Sequence, residues 1–236
     1  MRCFLLILFS FISQSLWAIE QSPRPMSRPE LALKPAVTDS LRPNLRPRSV
    51  EDRAQRYRAA LVRGQVCGDV RLQGKVMGRV SHKTRGCGID NAVRVTSIDG
   101  VRLSQPVTLD CKTAKTFAHW VERSAQPVIG TQGGGLDRID IMGHYACRPR
   151  NNKAGAKLSE HSKGRAIDIG GFRLKNGQRF SVLKDWSGSK WSDELRKLHK
   201  SACGPFGTVL GPAANKYHRD HFHFDTARYR SGSYCR

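Results

Sequence analysis

Ser159-Glu-His-Ser-Lys-Gly-Arg-Ala-Ile-Asp168 decides the reading of this chain, together with Asp220-His-Phe-His223 further on. The first segment carries a histidine and an aspartate seven apart, with a glycine between them. Gly164 suits a tight turn, because glycine enters backbone conformations closed to other residues. After it, Arg165-Ala-Ile-Asp-Ile169 alternates as a short strand does. His161 is therefore expected in a loop that folds back over Asp168 on a strand. His221 and His223 are two apart and face the same way on a strand. Asp220 points away on a regular strand, so a role at the same site requires a bend just before His221. Together the segments offer what a catalytic zinc needs: three protein ligands from His and Asp, and one open position for water. An isolated histidine is more simply a loop or strand residue, but the two-part pattern favours ligands.

The pattern Ser-x-His-x-x-Gly-x-Ala-x-Asp followed by His-x-His resembles the signature of the LAS group of zinc peptidases. These are the lysostaphin-type endopeptidases, D-Ala-D-Ala peptidases and hedgehog-type domains. More closely, the run from about Gly64 to Cys235 resembles the bacterial extensin-like C-terminal domain family. The matching stretches are Gly86-Cys-Gly-Ile89, Tyr145-Ala-Cys-Arg148, Ser159-Glu-His161, Ala166-Ile-Asp-Ile169, Gly207-Thr-Val-Leu-Gly-Pro212 and His218-Arg-Asp-His-Phe-His223. The resemblance implies Zn2+ on His161, Asp168 and His223. Two neutral imidazoles and one carboxylate leave the ion net positive, which acidifies its water. It also implies that Asp220, three before His223, is the general base that passes a proton to the leaving amine. His221 would polarise the scissile carbonyl or stabilise the oxyanion. His218 would replace Asp220 as base or sit at a loop surface. Arg148 stands where carboxypeptidases of the group carry a substrate-stabilising arginine, although Cys147 and Pro149 flank it here. Ser159 and Glu160 shape the loop. The insert before Ser159 departs from the carboxypeptidase pattern, which bears on substrate more than on metal.

The chain opens with Met1-Arg-Cys-Phe-Leu-Leu-Ile-Leu-Phe-Ser-Phe-Ile-Ser-Gln-Ser-Leu-Trp-Ala18, a basic residue, an apolar run and a small residue. This reads as a secretory signal peptide, cleaved near Ala18. The run is short for a membrane-spanning helix, so no stable span is expected after cleavage. Residues 19–49 are rich in Pro, Arg and Ser and read as a disordered basic linker. Residues 50–236 then suit one domain with its own core. Removal of Cys3 with the signal leaves Cys67, Cys87, Cys111, Cys147, Cys203 and Cys235. An even count in an exported chain points to disulfides, with the pairing open.

A formal charge of +22 implies an anionic partner surface. Export argues against nucleic acid and for peptidoglycan or another anionic envelope polymer, in the periplasm or outside the cell. General retention at a negative surface would use the same charge without a specific basic site. The sequence does not determine the oligomeric state.

The hydrophobic patterning gives a coarse map. Val50–Val62 reads as a helix capped by Ser49, with acidic residues in its first turn. Val93–Ile98 and Val101–Leu103 flank the hairpin turn Asp99-Gly100. Thr108 or Asp110 starts a helix through Val121, with Leu109, Phe117, Trp120 and Val121 as its core stripe. Arg138–Met142 reads as a strand that Tyr145–Arg148 continues or follows. Phe180–Val182 pairs with Ile167–Phe172 across Asn176-Gly177, Ser192 caps a helix through Ala202, and Val209 and Phe222–Phe224 supply the last strands. This is an α+β domain around a mainly antiparallel sheet flanked by helices, and the resemblance implies the hedgehog and D-Ala-D-Ala peptidase type.

The functional expectation is an exported zinc metallopeptidase acting on peptide bonds of peptidoglycan stems or cross-links. The alternative is a non-catalytic zinc-containing module that binds the wall or another anionic polymer. Asp220 and His221 favour the enzyme, since a metal staple needs no proton-handling groups.

Overall fold

The computed structural model describes residues 48–229 and 231–236. The expected signal peptide, and the expected linker up to residue 47, lie outside the described residues. Helix α1 (Arg48–Gly64) already includes the linker's last two positions. Ser49 therefore sits inside the first turn rather than capping it. Glu51 in the first turn and Arg63 in the last complement the helix dipole.

The chain then builds a ten-stranded sheet. Strand β1 (Gln65–Val66) leads into β2 (Asp69–Ser81), which pairs antiparallel with β3 (Gly88–Ile98). Sequence patterning missed β1 and β2, because polar residues and glycines interrupt β2 and half its length faces solvent. The turn to β4 (Val101–Asp110) uses Asp99 at φ 49° and Gly100 at φ 80°, the left-handed pair a tight hairpin requires. Asp110 caps helix α2 (Cys111–Trp120), accepting the Thr113 N–H at 2.6 Å. Leu109 belongs to β4, so it leaves the expected helical stripe, while Phe117, Trp120 and Val121 keep their core positions. The helix runs on through a wider π turn (Val121–Ala125) into α3 (Gln126–Ile129) and stops at Gly130.

Strand β5 (Leu136–Gly143) lies parallel to β4. Strand β6 (Ala166–Leu174) follows after a long irregular segment and is antiparallel to β5. Its other edge is shared: residues 171–173 pair with β7 (Arg179–Ser181), and residues 166–169 pair with a later strand, β9 (Phe222–Asp225). Helices α4 (Val182–Asp185) and α5 (Ser192–Ala202) come next. Ser192 is the first residue of α5 and not its cap; its hydroxyl donates to the Asp185 carbonyl at 3.0 Å. Strands β8 (Thr208–Leu210), β9 (Phe222–Asp225) and β10 (Tyr234–Cys235) close the order β1-β2-β3-β4-β5-β6-β9-β8-β10. Among the described residues only the β4–β5 and β8–β10 strand pairs are parallel, so the α+β class and the mainly antiparallel sheet both stand.

Strand alternation divides β6 and β9 into two faces. Ile167, Ile169, Phe222 and Phe224 are fully buried in the core. The Trp120 ring of α2 packs edge-on to Phe224, with centroids 5.3 Å apart, and its indole N–H donates to Ser201 of α5 at 3.0 Å. The residues between them, Asp168 and His223, point to the other face. They sit opposite each other in register. The core that fixes this register thereby delivers two polar side chains to one spot.

The six cysteines among the described residues form three disulfides: Cys67–Cys111, Cys87–Cys147 and Cys203–Cys235. The first ties β1 to α2, the second ties the β2–β3 turn to the segment after β5, and the third holds the C-terminus to the end of α5. No helix among the described residues is long and apolar enough to cross a membrane.

Candidate metal centre

His161 stands on a short 3-10 turn, Glu160–Lys163, which ends at Gly164 in the left-handed conformation, φ 65°. A side chain at Gly164 would run into Ile89. The Ser159 hydroxyl accepts the His161 N–H at 3.4 Å and so sets the start of the turn. The turn folds His161 back over β6, as its spacing from Asp168 predicts.

His161 Nε2 lies 3.1 Å from the Asp168 carboxylate and 3.1 Å from His223 Nδ1. His223 Nδ1 lies 2.9 Å from Asp168 Oδ1. A tetrahedral zinc with nitrogen ligands at roughly 2.0–2.1 Å sets its ligand atoms roughly 3.3 Å apart, close to this spacing. The opposite ring atoms are anchored as a metal site demands. His161 Nδ1 donates to the His144 carbonyl at 2.8 Å, leaving the Nε2 lone pair directed at the cluster. His223 Nε2 is 3.3 Å from Asp225 Oδ2, leaving Nδ1 for the cluster. The three residues thus fit a divalent cation.

The electrostatics point the same way. Burial pushes the Asp168 carboxyl upward, but hydrogen bonds from His161 and His223 outweigh it and hold it well below its usual range. Burial pulls His223 down, yet the Asp168 and Asp225 carboxylates more than compensate and raise it to about 9. Without a cation, the two carboxylates hold a proton on His223 where the ion would sit.

Gly143, at the end of β5, makes room for this arrangement. A Cβ there would collide with the Asp168 carboxylate. Sequence reading overlooked it, since nothing local distinguishes this glycine from any strand terminus.

The triad lies in a cavity of about 490 Å³. His221 lines it, with Nε2 3.8 Å from Asp168 Oδ1 and Nδ1 2.7 Å from Asp220 Oδ1. Residues 219–221 leave strand geometry just before β9, the bend expected there. That bend turns Asp220 onto His221. Asp220 itself is half exposed, lies outside the triad cluster and does not line the cavity. His218 is buried, hydrogen-bonds Asn215 Oδ1 at 2.9 Å, and has its ring centroid 5.2 Å from that of His221. Burial first, and the neighbouring His223 and His221 charges second, lower it to about 4, so it is neutral at physiological pH.

Arg148 reaches the site from the segment after β5, with Nη2 3.6 Å from Asp168 Oδ2. Its backbone is clamped from both sides. The Arg148 N–H donates to Ser162 Oγ at 3.1 Å, and its carbonyl accepts from Ser162 Oγ at 2.9 Å and from the Ser159 N–H at 3.0 Å. The Cys87–Cys147 disulfide holds the preceding residue. The role of Ser162 was not legible in the sequence, because its partner lies fourteen positions away. The remaining wall carries Glu160, Tyr229 and Arg150. The Tyr229 hydroxyl donates a short hydrogen bond to Glu160 Oε1 and accepts from Arg150 at 2.9 Å. Burial, then the Glu160 carboxylate, push the Tyr229 phenol up to about 12.

A β-sheet floor bearing a His-Asp-His set, closed by a disulfide-bonded rim, defines an α+β domain with a candidate metal-binding cavity. The chain belongs to the extensin-like protein C-terminus family, whose model matches residues 66–236. No curated protein and no solved structure matches it.

Proposed function

We propose that this chain is an exported zinc metallopeptidase of the LAS type that hydrolyses peptide bonds in peptidoglycan stems or cross-links. The observation that carries the proposal is the Asp220–His221 pair beside the ligand set. A bound zinc ion supplies Lewis acidity toward an amide carbonyl and lowers the pKa of water. The residues around it divide the remaining work. His221 Nε2 faces the triad and takes the proton of the attacking water, then returns it to the leaving amine. Asp220 accepts the Nδ1–H of His221, which fixes the tautomer and stabilises the charged ring. This shifts the base from Asp220, expected from the sequence pattern, to the imidazole that Asp220 orients. Arg148 stands where its guanidinium can hold a substrate carboxylate or the developing oxyanion. His218, neutral and buried behind His221, packs the proton-handling ring in place. Three disulfides suit an oxidising compartment, and the basic surface suits an anionic wall.

The test is digestion of purified peptidoglycan by the zinc-loaded protein, with products read by mass. Release of D-Ala, or conversion of cross-linked dimers to monomers, is expected, and His221→Ala should abolish it while retaining zinc. Stoichiometric zinc with no change in any muropeptide would replace the enzyme with a wall-binding zinc module.

A further inference from the structure

The cavity holds a carboxylate that the proposed reaction does not use. Glu160 lies on its wall, immediately before His161, with its side chain 6% exposed. Its two oxygens differ sharply. Oε1 accepts the Tyr229 hydroxyl and lies 4.0 Å from Lys163 Nζ. Oε2 is buried and has no hydrogen-bond partner among the described residues. An acceptor left unpaired at that depth is costly, and a small rotation of the carboxyl toward the cavity would give it a donor carried by the ligand. The other carboxylates of the cavity have partners: Asp168 bonds His161 and His223, and Asp225 bonds His223 and the Ala227 N–H. The same cavity is lined by Arg148 and Arg150, which suit a carboxylate. A group carrying an ammonium and a carboxylate together satisfies both walls.

From this geometry we infer that Glu160 is a specificity-determining residue, whose Oε2 binds a substrate ammonium while the arginines take a carboxylate beside it. The ligand class is a peptide with a free zwitterionic end, as on the unlinked side chain of a diamino-diacid residue. The inference rests on the peptidoglycan reading above, whose stem peptides can carry such a group. Tyr229, held by Arg150 Nη2 at 2.9 Å, acts through Glu160: its hydroxyl occupies Oε1 and leaves Oε2 for the ligand.

The experiment is calorimetric titration of the zinc-loaded full chain with two probes. One is the tripeptide L-alanyl-γ-D-glutamyl-meso-diaminopimelic acid; the other is the same tripeptide acetylated on its side-chain amine. Loss of one charged hydrogen bond in the cavity should weaken binding by on the order of ten- to a hundredfold on acetylation. Glu160→Gln keeps the shape and an acceptor for Tyr229, and should bind both probes about equally, near the affinity of wild type for the acetylated one. Tyr229→Phe should retain the preference. Equal affinities in wild type, a preference that survives Glu160→Gln, or no binding of either probe would overturn the inference. The wild-type comparison needs no variant to fold. Zinc content and muropeptide hydrolysis are read separately: a preference without hydrolysis keeps the inference and removes the peptidase, and hydrolysis without preference does the reverse.

Discussion

The floor and the rim of the cavity are built on different principles. The floor is β6 and β9, where Asp168 and His223 face each other in register and Phe222, Phe224, Ile167 and Ile169 anchor the opposite side in the core. A one-residue slip would turn every side chain over, so burial of the aromatics itself specifies where Asp168 and His223 stand. The rim is irregular chain: the segment carrying Arg148 and the bend at Asp220 and His221. Its geometry comes from a disulfide, from Ser159 and Ser162 hydrogen bonds and from one Asp–His contact. Metal retention should therefore depend on the floor, and turnover and selectivity on the rim.

The most severe way to break this division is to remove a ligand. Structural zinc sites bind with about 10–16 kcal/mol spread over four ligands, so one ligand accounts for roughly 3 kcal/mol or somewhat more. His161→Ala or Asp168→Ala should lower zinc affinity by about a hundredfold or more. Hydrolysis should fall to background, checked by competitive chelator titration beside the peptidoglycan digest. Gly143→Ala should act in the same direction by displacing the Asp168 carboxylate, although residue 143 touches no metal. Full zinc affinity in Gly143→Ala would refute the packing account of the floor.

Next come the rim residues to which the proposal gives the proton transfers. His221→Ala should retain zinc and lose roughly 10²- to 10⁴-fold in kcat, the usual contribution of a positioned acid–base group. Asp220→Asn should lose less, roughly 10- to 100-fold, because it orients the imidazole without replacing it. Single-turnover assays on a defined muropeptide separate the two. An Asp220 variant with a larger defect than His221→Ala would return the base to Asp220.

The two regions also differ in how far the sequence discloses them. The clustering of His161, Asp168 and His223 is readable because its causes are local: a glycine that admits a turn, a period-two strand, and two histidines on one side of another. The β2 strand was not readable, because an exposed strand interrupted by glycines lacks the alternation that burial imposes. Leu109 fits the helical stripe by pattern because an apolar residue next to a helix start suits either element; the Asp110 cap places the boundary after it. Rim details depend on pairings between distant positions. Cys87 with Cys147, Ser162 with Arg148, Tyr229 with Glu160 and Gly143 with Asp168 leave no periodic trace. The sequence calls for a bend before His221, whereas the contact of the Asp220 carboxylate with His221 Nδ1 is a property of the folded chain.

The Cys87–Cys147 disulfide offers a sharper cut between rim and floor. It closes a span of 60 residues, and its loss should cost about 2–4 kcal/mol of stability. The paired Cys87→Ser and Cys147→Ser variant should unfold at lower urea while still binding zinc under native conditions. Its hydrolysis should weaken through KM, since Arg148 follows Cys147 and loses its anchor. An unchanged KM would assign Arg148 to structure alone and leave carboxylate recognition to Arg150.

The smallest effect is graded and concerns the floor. His223 is raised to about 9 in the metal-free protein, so at pH 7 it carries a proton that a cation must displace. Zinc binding should release close to one proton from this residue, measured by calorimetry in two buffers of different ionisation enthalpy. Apparent affinity should rise roughly tenfold per pH unit toward pH 9 and then level off with respect to this group. The same shift acts oppositely on the metal-free fold. Because the folded value exceeds that of an unfolded histidine, its stabilisation is fully present below about 6.5 and is lost as pH rises through about 9. Asp168 contributes with the other sign: its depressed carboxyl stabilises the fold above the ordinary aspartate range, and that stabilisation is lost on acidification. The metal-free domain should thus be most stable between these limits, and zinc should extend its stability on the alkaline side. Asp225→Asn removes one of the two carboxylates that hold the proton on His223. Proton release on zinc binding at pH 8 should then decline, because more of the imidazole is already neutral. Undiminished release would mean that Asp168 alone sets the charge of the floor.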